Sequence, residues 1–240
     1  MLLVHTWLGL DEGVKHRTER VAELGYAAFA LDIFGPNVHP TPPVESAAVI
    51  KPFVENRQLF RQRLEAGLKV LQKQPECDAS RVAAIGYCFG GCGVLEMARA
   101  GFTLKGVVSL HGELATPLPA KPGNIKPKIL VLHGDADPRV SQDQVTHFLD
   151  EMRQAGSNWE FTAYSGAKHS FTGEGIGGKD GSGSSVQSAS GSALLASYDE
   201  FSERSSPDMI ESHFSNHLLS VKAVLLEAFL LERESQRSSV

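Results

Sequence analysis

Apolar and polar positions change period along this chain in a regular order. Residues 1–5 form a short apolar, strand-like run, and residues 11–24 place Val14, Val21, Ala22 and Leu24 at helical spacing before Gly25. Residues 26–33 are almost continuously apolar, which predicts a strand buried on both faces. The stretch 34–43 is punctuated by Gly35, Pro36, Pro40, Pro42 and Pro43 and reads as a loop. A helix is expected over 56–73, with Leu59, Phe60, Leu64, Leu68 and Leu71 on one stripe and Pro75 closing it. The alternation then repeats as strand 81–87, helix 90–100, strand 105–110, strand 128–133, helix 141–155 and strand 159–164. A long amphipathic helix is expected over 209–231. Alternation of this kind predicts an α/β fold: a mostly parallel central sheet with helices on both faces, in three layers. In such sheets, chemistry collects at the carboxyl ends of the strands.

One such end carries Gly86-Tyr87-Cys88-Phe89-Gly90-Gly91, between an apolar strand and a helix. The pattern has the shape of the G-x-S-x-G nucleophile elbow with sulfur in place of oxygen. Glycines flank the apex because strand and helix must approach without a Cβ between them. The helix that follows aims its first N–H groups at the cysteine, which favours thiolate and can hold an oxyanion.

Composition narrows the class. The chain has 240 residues, 42% of them hydrophobic, enough for one substantial core, and a single domain over 1–240 is expected. A net charge of −5 without a long basic run argues against nucleic acid or an anionic membrane surface as partner. No apolar stretch reaches the length of a membrane span, and residues 1–4 have neither the basic flank nor the cleavage site of a signal peptide. Cys77, Cys88 and Cys92 are too few for a disulfide framework, so a reducing, cytoplasmic setting is expected. Residues 173–197 are dominated by glycine and serine and read as a flexible insertion. Their formal G-x-G-x-x-G at 173–178 lacks the strand and helix that a dinucleotide site needs.

A thiol nucleophile requires a base, and the base an orienting acid. Among nine histidines, His169 in Ala167-Lys168-His169-Ser170-Phe171 follows the last strand, whereas His147 lies on a helix. His111 and His133 end strands and fit local hydrogen bonding. His213 and His217 are four apart on a helix, but no glutamate follows His213 as a metalloprotease pattern requires, so they read as a solvated face. For the acid, Asp137 precedes Pro138 at a loop tip, while Asp135 beside Gly134 reads as a turn cap. Arg139 after the same strand, with Arg61 and Arg63, offers guanidinium groups for an anionic substrate.

Cys88, Asp137 and His169, in Gly-Tyr-Cys-Phe-Gly-Gly, His-Gly-Asp-Ala-Asp-Pro-Arg-Val and Ala-Lys-His-Ser-Phe-Thr, resemble the dienelactone hydrolase family over about residues 3–172, with a weaker echo at 198–204. The resemblance implies the α/β-hydrolase fold and a Cys-His-Asp triad. It implies a cysteine-dependent hydrolase of small carboxylic esters or lactones, working through an acyl-thioester without metal or organic cofactor. Backbone N–H groups of Phe89 and Trp7 would form the oxyanion hole, and Thr6, Tyr87 and Arg139 would line the substrate site. A thioesterase or acyltransferase would use the same triad, and a binding protein could keep the same scaffold. Such a protein is expected to be a monomer or small homo-oligomer. Three departures stand out, one of them the Gly/Ser-rich segment after His169, longer than the family implies. Thr6 occupies the position where the family keeps a glutamate that helps ionise the cysteine. The chain also opens directly on its first strand, without the N-terminal hairpin the family implies, and so reads as shortened at its start.

Overall fold

The computed structural model describes residues 1–172. The Gly/Ser-rich stretch 173–197 and the helix expected over 209–231, with His213 and His217, lie outside the described residues.

Six strands form one parallel sheet: β1 (Leu2–Val4), β2 (Phe29–Leu31), β3 (Ala84–Tyr87), β4 (Gly106–Leu110), β5 (Lys128–Gly134) and β6 (Trp159–Tyr164). Their spatial order is β2-β1-β3-β4-β5-β6. The chain winds one way from β1 to β2 and the other way from β3 onward, so the order reverses between β1 and β3. That crevice, at the carboxyl ends of the strands, is where a doubly wound sheet binds its ligand. With right-handed crossovers, α1 (Glu12–Glu23) covers one face. On the other face, α3 (Arg57–Gln72) packs on α4 (Phe89–Arg99), and α5 (Gln142–Ala155) is tied to α4.

Local chemistry sets the helix ends. The Asp11 carboxylate caps α1 by accepting from the Val14 N–H at 2.9 Å, and Ser141 and Gln144 form a reciprocal capping box on α5. α5 stops at Gly156, whose φ of 65° suits a residue without Cβ. The central strands are buried throughout, with Leu2, Leu3, Val4, Ala84 and Val107 inaccessible to solvent.

Two elements differ from the expectation. The apolar run 26–33 yields only a three-residue strand, and Phe29 and Ala30 are half-buried. Among the described strands β2 is an edge, covered less completely than an interior strand. The second difference is a helix, α2 (Val44–Glu55), whose residues carry no periodic signal. Pro52 inside it, and the prolines just before it, mask its period. The chain breaks at Asn56, whose side chain then caps α3 through the Leu59 N–H at 3.0 Å.

A charge network runs beneath the helical layer. Arg99 donates to Glu151 through Nε at 2.9 Å and Nη2 at 2.8 Å, to Glu96 through Nη1 at 3.2 Å, and to the Leu114 carbonyl at 2.7 Å. Arg61 holds the other oxygen of Glu96 at 2.7 Å and donates to the Leu118 carbonyl at 2.7 Å. Glu96 is fully buried, so these partners are what make its charge tolerable. Among the described residues, no helix is long and apolar enough to cross a membrane.

Candidate active site

The turn after β3 has the shape its glycines require. A Cβ on Gly86 would fall on the backbone of Gly90, and one on Gly90 would fall on the Val4 carbonyl. Neither obstacle is a flexible side chain, so α4 can start immediately above β1 and β3 only with glycine at both positions. At the apex, Cys88 has φ 55° and ψ −115°, a conformation a residue with a Cβ rarely adopts. Its backbone N–H donates to the Leu110 carbonyl at 3.0 Å and to His111 Nδ1 at 3.1 Å. The strained residue is therefore fixed from β4.

The side chain of Cys88 meets two groups from distant loops. His169, in the segment after β6, brings Nε2 to 3.0 Å from Cys88 Sγ. On the other side of the ring, Nδ1 lies 2.8 Å from Asp137 Oδ2. Asp137, in the loop after β5, is buried and accepts the Arg139 N–H through Oδ1 at 2.9 Å. The backbone N–H of Phe89, first residue of α4, favours the charged form of the Cys88 sulfur.

Electrostatics follow from these contacts. Burial alone would raise the Cys88 thiol above its ordinary value of 9. The hydrogen bond and positive charge of His169, the Arg139 guanidinium and the Phe89 N–H outweigh it, and the thiol is lowered. Burial would likewise lower His169, but Asp137 and Cys88 raise it from 6.5 to about 9. Asp137 stays below its ordinary range because the bonds from His169 and the Arg139 N–H overcome its burial. The three groups thus favour thiolate, imidazolium and carboxylate together. His111 behaves oppositely: burial, then the charges of His169 and Arg17, push it down to about 3. It is a neutral ring whose Nδ1 accepts. Cys92, one helical turn further along α4, is pushed up to about 12 by burial and is an inert thiol.

A cavity of about 270 Å³ opens on Cys88 and His169, with apolar walls from Trp7, Ile50, Val54, Phe89 and Val140. Its polar groups are Arg139, whose guanidinium lies 5.2 Å from the Trp7 ring centroid, Arg57 and Glu113. A larger surface cleft of about 370 Å³ beside Arg61 and Lys121 borders neither Cys88 nor His169.

Of the residues singled out in the sequence, the structure brings Cys88, Asp137, His169, Phe89, Trp7 and Arg139 together. Thr6 and Tyr87 do not line the cavity. Thr6 Oγ1 accepts the Leu8 N–H at 3.2 Å, shaping the turn that carries Trp7. Tyr87 packs against the Arg17 guanidinium at 4.0 Å from the ring centroid, because the residue before a strand-end nucleophile points away from it. Arg61 is engaged by Glu96, and neither it nor Arg63 reaches the cavity. Sequence reasoning missed Arg57 and Glu113. Glu113 had a signal, since it lies three residues past the carboxyl end of β4. Arg57 had none, since its place depends on the break between α2 and α3. His111, expected to hydrogen-bond locally, accepts the nucleophile's own backbone N–H.

The model of the dienelactone hydrolase family matches residues 1–205. The chain belongs to that family. It is a member of a family of ester and lactone hydrolases, and its fold agrees with solved structures. A dienelactone hydrolase-like promiscuous phosphotriesterase from metagenomic libraries superposes with a TM-score of 0.70 and 33% identity, over 83% of this chain and 84% of that one. An uncharacterised protein of Caenorhabditis elegans is 40% identical over 116 residues, which are 47% of this chain and 73% of the relative. A Bradyrhizobium sp protein named as a probable 2-oxo-3-(5-oxofuran-2-ylidene)propanoate lactonase is 25% identical, over 68% of this chain and 69% of its own length.

Proposed function

We propose that this dienelactone hydrolase family member cleaves small carboxylic esters or lactones with Cys88 as nucleophile, through an acyl-thioester. The observation that carries the reading is the line Cys88 Sγ, His169, Asp137, with contacts of 3.0 and 2.8 Å on the strained apex of an elbow. The absence of the family glutamate at Thr6 does not leave the thiol unactivated, because His169 itself is basic enough to take its proton.

The thiolate attacks the substrate carbonyl carbon, and the carbonyl π electrons move to oxygen. Backbone N–H groups at the start of α4 and in the turn at Trp7 are the donors for that oxyanion; one such donor is worth about 3 kcal/mol. As the C–O bond of the ester breaks, His169 Nε2 gives its proton to the leaving alkoxide. The neutral ring then takes a proton from water, whose oxygen attacks the thioester carbon. The C–S bond breaks, the acid departs, and thiolate and imidazolium are restored. Asp137 keeps Nδ1 protonated throughout, so that Nε2 always faces the sulfur.

Replacing Cys88 by Ala is expected to reduce kcat for a p-nitrophenyl ester by about 10⁴-fold or more. Mass spectrometry of wild-type protein quenched during turnover is expected to find the acyl group on the peptide containing Cys88. Undiminished turnover by Cys88→Ala overturns the reading.

A further inference from the structure

The cavity contains a feature that ester cleavage as such does not use. Arg57, the first residue of α3, has a side chain only 3% exposed, yet it is poorly bonded. Nη1 reaches the Phe53 carbonyl and Nη2 reaches Glu113 Oε2, each at a long 3.4 Å. Its Nε finds no partner among the described residues. Buried guanidinium groups are normally saturated with acceptors, because an unmet N–H costs its full desolvation. An acceptor is therefore wanted here, and the cavity is the space from which it can come.

Glu113 decides what kind of acceptor. Its carboxylate is 43% exposed and lines the same cavity, and with Arg57 it lies near the Cys92 thiol, a helical turn beyond the nucleophile. A substrate carboxylate bound at Arg57 would stand beside this negative charge, half-exposed but adjacent, and like charges repel. A neutral carbonyl or ether oxygen would meet the same N–H without that repulsion. Arg139, the other cation of the cavity, is exposed, lies over Trp7 and already faces a negative charge, the Cys88 thiolate that it favours.

Resting on the reading of Cys88 as nucleophile, we propose that Glu113 is a specificity-determining residue. It neutralises Arg57, so that the site takes uncharged esters or lactones bearing a hydrogen-bond acceptor remote from the scissile carbonyl, and discriminates against carboxylates. The pair is a neutral recognition point rather than an anion clamp.

The test compares p-nitrophenyl butyrate with the monoanionic p-nitrophenyl hemisuccinate. Glu113→Gln is expected to raise the ratio of kcat/KM for the anionic over the neutral ester at least tenfold, through the KM of the anionic ester. Glu113→Asp, which keeps the charge, is expected to retain the wild-type preference. Equal changes for both esters, or an unchanged ratio, overturn the proposal. A calorimetric titration with glutarate tests it without turnover: Cys88→Ser/Glu113→Gln should bind at least tenfold tighter than Cys88→Ser alone, and equal affinities count against it. If Cys88→Ala instead leaves ester hydrolysis intact, the nucleophile assignment fails, and the glutarate titration still decides the role of Glu113.

Discussion

A sulfur and an imidazole nitrogen 3.0 Å apart, backed by a buried carboxylate, share their protons as a unit. Because His169 is raised from 6.5 to about 9, its interaction with Asp137 and Cys88 is fully present below 6.5 and is lost as pH rises through about 9. Cys88, being lowered, keeps its thiolate to a lower pH than a free thiol does. The rate of acylation by an alkyl ester should therefore fall through an alkaline limb near pH 9, as His169 ceases to protonate the leaving alkoxide. Single-turnover release of ethanol from an ethyl ester, measured across pH, checks this, and a rate still rising past pH 10 would contradict it. These three residues were legible in the sequence because each stands beside a strand end in a distinctive local pattern. Arg57 and Glu113 were not, since they meet across 56 residues of chain by the course of α3.

At the scale of elements, the elbow depends on how closely α4 can lie on β1. Gly90 makes that approach possible, and the atoms its Cβ would strike are backbone. Gly90→Ala is expected to destabilise the protein by about 3 kcal/mol, the upper end of overpacking, because no rotamer change can relieve it. Urea unfolding monitored by tryptophan fluorescence measures this, and an unchanged midpoint would refute it. The glycines at the elbow were readable because turn geometry demands them. α2 was not readable, because Pro52 interrupts the period that would have announced it. With α2 unread, the cavity wall formed by Ile50 and Val54 had no place in the expectation.

For the molecule as a whole, the parallel sheet was legible from the alternation of periods alone, and the switch of winding between β1 and β3 fixes where a site can form. What the pattern of apolar residues hides is the Arg61–Glu96–Arg99–Glu151 network, which fastens α3, α4 and α5 to one another. Charged residues on helices ordinarily read as solvent-facing, and here Arg99 and Glu96 are almost inaccessible. Replacing Glu96 by Gln leaves Arg61 without its counter-charge and Arg99 with Glu151 alone, and the expected cost is about 3 kcal/mol of stability. Thermal unfolding compared with wild type checks this, and kcat per folded molecule should be unchanged, since Glu96 does not border the Cys88 cavity.

His111 changes how a histidine beside a nucleophile is to be understood. With its proton affinity pushed down to about 3 and Nδ1 turned toward the Cys88 N–H, it is excluded from acid–base work at any ordinary pH. Its value lies in a lone pair held at a fixed position, something that an amide oxygen of the right reach would supply and a lysine never would. Position 111 is thus chosen for the shape of an acceptor, and natural variation there should follow hydrogen-bond geometry rather than basicity.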